Sequence, residues 1–422
     1  MSLDELRSAA TARLREASQT ATGPTDAAVL HDQVISAVIT DHTTQTLRTD
    51  GRVLASEEAA RIQQVLRAHL TGMGGLTTLL ADESIEDIWI NGCDQVFVAR
   101  HDGTTERVDA VCKSDEALVE LVRTIAAGGG TTEQERRFDR SSPILDLQLP
   151  GGARLNAVMS LTARPCVSIR RHRIVAANLP DLVRGGTMSR EIADLLRAAV
   201  AARSNIIVAG ATGAGKTTLL KALAAEIPEA ERLITIEDTL ELGLDADPRH
   251  PNAIAMQSRP PNLEGHGGVT LRQLFTAALR MHPSRVMVGE VRGAEVIPML
   301  HAMSQGNNGS LSTIHTSSSA GVFTKLALLG AEAPERLGSD VMAQLIAESV
   351  DLIVHMTLSS DKRRVVASVR EVTGADACRV VSNEIYRPDQ DGAAVFATPL
   401  SRATAQRLEP CGYRTPTGGG WA

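Results

Sequence analysis

The run Ile206-Ile207-Val208-Ala209-Gly210-Ala211-Thr212-Gly213-Ala214-Gly215-Lys216-Thr217-Thr218-Leu219 contains the pattern G-x-x-x-x-G-K-[ST] at every fixed position. Ile206 to Ala209 is a short apolar run that reads as a strand, and Leu219 to Glu226 reads as a helix. The glycines let the backbone wrap closely, so that its N–H groups and the helix N-terminus face an anion such as a phosphate chain. In that setting Lys216 would neutralise β- and γ-phosphate oxygens and Thr217 would hold Mg²⁺. The binding loop runs through Gly210, Thr212, Gly213, Ala214, Gly215, Lys216, Thr217 and Thr218. The bland alternative is a Gly-rich turn with an incidental lysine; a strand before it and a helix after it argue against that.

Outward from this loop the same texture repeats. Leu233 to Ile236, Val286 to Val288 and Ser310 to Ile314 are further short apolar runs, and amphipathic segments separate them. Leu271, Leu274, Phe275, Ala278 and Leu279 fall at i, i+3, i+4, i+7 and i+8, one helical stripe. This alternation describes an α/β unit, a mainly parallel sheet between helices, over 190–422 with a C-terminal subdomain. Carboxylates end two of its strands: Glu237 and Glu241 in Ile236-Glu237-Asp238-Thr239-Leu240-Glu241, and Glu290 in Val286-Met287-Val288-Gly289-Glu290. The carboxyl edge of a parallel sheet is where a ligand crevice is expected, so these acids could serve Mg²⁺ and water. His315 closes the next strand at the same edge, a position suited to contacting a γ-phosphate.

Upstream, Leu179 to Arg190 reads as a linker, with Pro180 and Gly185-Gly186 in it. Residues 71–178 read as an α+β domain. Ile85 to Ile90, Asn91-Gly92 and Gln95 to Ala99 make a hairpin pattern, and a strand from Glu106 to Val111 and a helix from Asp115 to Ala127 follow. Extended segments near 144–148, 154–159 and 167–171 complete it. Residues 1–70 read as an N-terminal helical segment broken at Thr22-Gly23-Pro24, with Ala59, Ile62, Val65, Leu66 and Leu70 on one face.

Composition bounds the function. A length of 422 residues allows two or three domains. Aromatic content of 2% argues against stacking platforms for single-stranded nucleic acid, and a net charge of -7 argues against unaided binding of DNA or an acidic membrane. No apolar run approaches a membrane span. The five cysteines are scattered and odd in number, which fits reduced thiols in the cytosol and makes a four-cysteine zinc site unlike this chain.

Taken together, these motifs resemble the type II/IV secretion system ATPase family. The resemblance rests on the phosphate loop, Thr235-Ile236-Glu237-Asp238-x-x-Glu241-Leu242, Val288-Gly289-Glu290-Val291-Arg292-Gly293 and Gly309-Ser310-Leu311-Ser312-Thr313-Ile314-His315. Ser258-Arg259-Pro260-Pro261-Asn262-x-Glu264-Gly265 and Leu279-Arg280-Met281 look like its CpaF/TadA branch, which powers tight-adherence (Flp) pilus assembly. The resemblance implies a RecA-like P-loop NTPase domain and a hexameric, cytoplasmic enzyme at the inner face of the cell membrane. It implies an inner-membrane platform partner and no direct nucleic acid. ATP and Mg²⁺ are the implied cofactors, with Thr217 and Glu290 at the metal. Glu290 would be the Walker B acid, Glu237 and Glu241 the acidic box with Glu241 the water-activating base, and His315 the histidine box. Arg154, Arg170 and Arg171 resemble N-terminal-domain arginines that approach the nucleotide, and Arg280 and Arg292 are further candidates for the phosphates.

Two departures stand out: Asn307 replaces one histidine of the family's box, and Arg140 replaces an acid in Asp139-Arg140-Ser141-Ser142-Pro143. The Asn307 change suggests a weakened phosphate-sensing step, and hence a nucleotide-gated scaffold with little turnover as the rival to an enzyme. A conjugation-type type IV secretion ATPase and, more remotely, a RecA-like DNA motor are the other readings.

Overall fold

The computed structural model describes residues 3–20, 27–51, 55–70, 73–101, 103–128, 137–149, 152–171, 177–259, 261 and 265–414. Two compact units divide the chain, Met1–Arg173 and Ile174–Ala422. The break expected at Thr22-Gly23-Pro24 lies outside the described residues, as does most of the Pro260 to Glu264 stretch.

The first unit begins with α1 (Leu3–Thr20), α2 (Ala27–Asp50) and α3 (Ser56–Leu70). Leu6, Ala10, Val34, Ile35, Val38, Ile62 and Leu66 bury one another between these helices. In α2, Thr40, Thr43, Thr44, Thr46 and Thr49 each return a hydroxyl to the carbonyl four residues back, so β-branched residues that disfavour helix satisfy their own polar atoms there. After α4 (Leu76–Ala81) come β1 (Ile85–Asn91), β2 (Val96–Arg100), β3 (Thr105–Val108), α5 (Asp115–Gly128), β4 (Ile144–Gln148), β5 (Arg154–Val158) and β6 (Cys166–Arg170). The strands form an antiparallel sheet in the order β3-β2-β1-β6-β5-β4. Alternation decides its faces: Ile88, Leu147, Leu155 and Ile169 turn into a core shared with Leu118, Val122 and Ile125 of α5. Arg154 and Arg170 point to the other face.

The second unit opens with a difference from the sequence reading. Leu179 to Arg190 starts with a helix, α6 (Leu179–Arg184), and ends at the first residue of α7 (Arg190–Ala201). Asn178 caps α6 by accepting from the Asp181 N–H, and Pro180 sits in the first turn, where a missing N–H leaves no bond unmade. Next come β7 (Ile206–Gly210), α8 (Lys216–Ala224), β8 (Leu233–Glu237), β9 (Ala253–Gln257), α9 (Leu271–Leu279), β10 (Arg285–Val291), α10 (Val296–Ser304) and β11 (Leu311–His315). The chain continues with α11 (Gly321–Glu332), α12 (Ser339–Ser349), β12 (Leu352–Leu358), β13 (Arg364–Asp376), β14 (Arg379–Pro388), β15 (Ala394–Phe396) and α13 (Arg402–Leu408).

Among the described residues these strands make one sheet, β15-β14-β13-β12-β7-β11-β10-β8-β9. From β12 to β9 every pairing is parallel; β13, β14 and β15 extend the sheet antiparallel. Two cores cover its faces, one centred on α7 and α8 and the other on α10, α11 and α12. That double cover is why β7 and β8 are apolar almost throughout instead of alternating. No described helix is long and apolar enough to cross a membrane.

Candidate functional site

The site is built at the carboxyl edge of the parallel strands. β7 ends at Gly210, where a Cβ would lie 2.5 Å from the Met356 carbonyl oxygen of β12; only glycine lets the chain leave the strand there. The loop ends at Gly215, whose φ of 95° is left-handed and which forms the N-cap of α8. The first-turn amides of α8 therefore open toward the loop. Lys216 folds across the loop, its Nζ donating to the Ala211 carbonyl at 2.9 Å. Thr217 and Thr218 follow in the first turn, and Thr212 and Gly213 are exposed at the tip while Ala214 is buried beneath it.

Three neighbouring strands bring the acids and the histidine. β11 pairs with β7 so that His315 stands directly beside Gly210, with its side chain exposed. β10 is next and carries the half-buried Glu290; β8 is beyond it and ends at Glu237. Glu237 is 1% exposed. Its Oε1 accepts from the Thr235 hydroxyl at 2.8 Å, and its Oε2 accepts the Glu241 and Leu242 N–H groups at 2.7 and 2.9 Å. Burial pushes its carboxyl above the ordinary value, and those hydrogen bonds pull it back only in part. Both oxygens are thus committed to shaping the loop that presents the half-buried Glu241. Lys221 on α8 is buried too, and burial lowers its ammonium while Glu237 and Glu241 oppose that shift.

Arg292 ties the two acidic loops together. Its guanidinium donates to Glu290 Oε2 through Nε at 2.9 Å and Nη2 at 2.5 Å, and Nη1 lies 3.5 Å from Asp238 Oδ2. The buried Glu295 holds the turn below by accepting the Arg292 and Gly293 N–H groups at 2.6 and 2.7 Å. Arg292 is therefore an organiser of carboxylates, already engaged by Glu290.

Two sequence expectations do not join this edge. Arg280 caps the end of α9, and the next carbonyl, Met281, accepts from Arg232 just before β8 begins. That places Arg280 at the amino edge, a strand's length from the loop within the same chain. Asn307 also lies there: its Nδ2 donates to the Pro283 carbonyl at 2.8 Å, ahead of β10, and the whole of β11 separates it from His315, roughly 15 Å of extended chain. Within this chain Asn307 thus packs at the amino edge, apart from His315.

In the first unit Arg154 and Arg170 face each other across β5 and β6, and Asp87 is the next residue in that row, 3.9 Å from Arg170 Nε. Burial raises the Asp87 carboxyl, with Arg170 working against it. Arg171 donates to the Asp82 carbonyl of its own unit. Arg140 is exposed, in a turn where Asp139 Oδ1 accepts the Ser141 and Ser142 N–H groups at 2.8 and 3.0 Å.

Sequence reasoning missed Lys221 and Arg364. Lys221 is five residues beyond Lys216, and only the fold shows that it turns inward. Arg364 opens β13 and donates from Nε to the Gly213 carbonyl at 2.9 Å. Nothing local in the sequence connects those two positions; the register of β12 with β7 does.

Comparison with known proteins identifies the family. Residues 69–390 match the model of the family described as "Type II/IV secretion system protein". A Mycobacterium tuberculosis (strain ATCC 25618 / H37Rv) protein named for conjugal transfer, Rv3659c, is 34% identical over 369 residues, 84% of this chain and 100% of that protein. The type IV secretion system protein VirB11 of Bartonella henselae is 28% identical over 323 residues, 68% of this chain and 88% of that one. Among solved structures, the pilus retraction motor PilT with bound ADP is similar with a TM-score of 0.50 at 16% identity, over 80% of this chain and 86% of that one, a likeness of fold. The second unit is RecA-like, and the chain belongs to the type II/IV secretion system protein family.

Proposed function

We propose that this chain is a cytoplasmic ATPase that hydrolyses ATP with Mg²⁺ to drive Tad/Flp-type pilus assembly, or related type II/IV secretion, through an inner-membrane partner. The observation that carries the reading is the convergence of the Gly210–Thr217 loop, Glu241, Glu290 and His315 on one sheet edge. The donor set suits a triphosphate: main-chain amides, one ammonium and a threonine hydroxyl face carboxylates on the neighbouring strands. Bound Mg²⁺ would neutralise charge on the transferring phosphoryl group, with Thr217 and Glu290 to hold it. Lys216 takes the β- and γ-phosphates, Glu241 aligns water, Glu237 and Lys221 fix the loop carrying Glu241, and His315 contacts the γ end. Arg154, Arg170 and Arg171 are proposed as further nucleotide contacts, and the proposed assembly is a hexameric ring. With no described helix that could span a membrane, the chain would act at the inner face through its platform partner.

Phosphate release from the purified protein tests the reading. Lys216→Ala should lower turnover by about 10²–10³-fold, the scale of losing one preorganised charge contact to the transition state. A variant as active as the parent would end the proposal. Release no faster than in Glu290→Gln would favour the nucleotide-gated scaffold.

One observation favours a second reading, a conjugation-type ATPase. The Mycobacterium tuberculosis relative is named for conjugal transfer, and the VirB11 relative is a type IV secretion protein. Co-purification from cells separates the two: pilin-like proteins with two polytopic membrane proteins support pilus assembly, and a DNA-transfer relaxase supports conjugation.

A further inference from the structure

The turn between β12 and β13 stands beside the phosphate loop, on the side of β7 away from the acids. Met356 of β12 is in register with Gly210, and Leu358 pairs with Arg364, so the turn projects past the carboxyl edge. It is tightly tied. The Ser359 N–H donates to the Arg363 carbonyl at 2.8 Å, the Lys362 N–H to the Ser359 carbonyl at 2.9 Å, and the Arg363 N–H to Ser359 Oγ at 3.1 Å. Arg363 turns away to pair with Asp361. Arg364 does the opposite. Its stem packs on the loop, with Cδ 3.4 Å from where a Gly215 Cβ would be, and its Nε donates to the Gly213 carbonyl at 2.9 Å.

A guanidinium is planar, so fixing Nε holds the other donors in the same plane over the loop. Its place in the strand order says which part of a nucleotide it meets. Lys216 and Thr217 stand above β7, and His315 and Glu290 lie on β11 and β10, so the γ end points that way. The nucleoside end must leave on the β12–β13 side, where Arg364 is.

We propose that Arg364 is a nucleotide-positioning residue that binds the α-phosphate, on the side of the phosphate loop opposite Glu290 and His315. The inference rests on the nucleotide reading above. It assigns Arg364 to holding the nucleotide in ground state and transition state alike.

Titrations of the purified full chain with Mg²⁺-ADP and with inorganic tripolyphosphate, together with steady-state turnover, test it. Arg364→Ala should raise the ADP Kd and the ATP KM about tenfold, the scale of one charge-assisted hydrogen bond, with kcat within about twofold of the parent. Tripolyphosphate, which keeps a phosphoryl group at the α position but has no nucleoside, should weaken about as much as ADP. Arg364→Lys should recover part of the loss, and is titrated in the same way if the alanine variant does not fold. An unchanged ADP Kd, a loss for ADP that tripolyphosphate does not share (which would put Arg364 on the nucleoside), or a fall in kcat at constant KM would overturn the assignment. A parent protein that binds no ADP would overturn the nucleotide reading itself, a separable result.

Discussion

The two edges of the large sheet are both polar, and they use polarity in opposite ways. At the amino edge, Asn205 is buried with every side-chain group matched: Nδ2 donates to the Met303 and Ser349 carbonyls at 2.8 and 2.7 Å, and Oδ1 accepts the Gly309 and Ser310 N–H groups at 2.9 and 3.0 Å. Nearby Arg285, 1% exposed, grips Glu231 through Nε and Nη2 at 2.8 and 2.7 Å and donates to the Val200 carbonyl at 2.9 Å. Burial would raise the Glu231 carboxyl; Arg285 and Arg203 outweigh it and hold it below its ordinary value. At the carboxyl edge, by contrast, the loop tip and His315 are exposed, and Glu241 and Glu290 are half-buried. A closed polar network specifies packing, and an open one leaves donors and acceptors for a ligand. The fold is locked at one end of its strands and left open at the other.

The strongest way to break that contrast is Arg285→Ala. It strips a buried carboxylate of its bidentate partner, which costs about 3–5 kcal/mol in other proteins; with Arg203 still in contact, about 3 kcal/mol is expected here. Urea unfolding measures it, and ATP KM in the folded fraction should not move. A loss below about 1 kcal/mol would mean the amino edge is not where stability is concentrated.

Glu237→Gln sharpens the contrast from the other side, since Glu237 is a buried, satisfied group placed at the open edge. Its carboxyl is raised, so the folded state keeps the proton to higher pH than the unfolded state does. Stability from this group is therefore greatest in acid, falls as pH rises from the ordinary carboxylate range through the raised folded value, and is level above it. Glutamine keeps an acceptor for the Glu241 and Leu242 amides and has no charge to bury. Its urea midpoint should gain on the parent's between pH 4.5 and neutrality, with turnover falling less than in Glu241→Gln. Parallel midpoints across that range would place Glu237 in a solvated setting and cancel its role as loop holder.

How much of this was legible beforehand follows from the range of the forces. The G-x-x-x-x-G-K-[ST] loop, the Asn91-Gly92 hairpin and the stripe on α9 are local patterns, readable because a strand, turn or helix is decided within a few residues. Leu179 to Arg184 was misread because Pro180 suggests a break until one sees that it occupies the first turn of a capped helix. The antiparallel extension β13 to β15 went unread, since Arg364 to Asp376 and Arg379 to Pro388 mix apolar and charged residues and their faces are set by strand pairing alone. The edge position of the acids, His315 and Lys216 was legible because each ends a strand or follows a motif. Arg364 was invisible, being placed by register across 151 residues. Edge assignment explains the misplaced candidates too: Arg280 and Asn307 lie near the motifs in sequence, but a helix or strand carries them to the far side of the sheet.

Asn307→His is the smallest effect expected and the sharpest question. Restoring the family's histidine should leave turnover within about twofold, because the position is held against Pro283 at the amino edge and β11 intervenes before His315. Stability should fall by about 1 kcal/mol at most, the worth of the one side-chain hydrogen bond to Pro283 if the imidazole fails to replace it. A several-fold rise in kcat would instead require that strain at the start of β11 reaches the phosphate-facing end. Thr313 gives such a signal a route, since its hydroxyl donates to the Gly289 carbonyl beside Glu290. Thr313→Val in the histidine background would then abolish the gain, and the two edges would have to be treated as one coupled device.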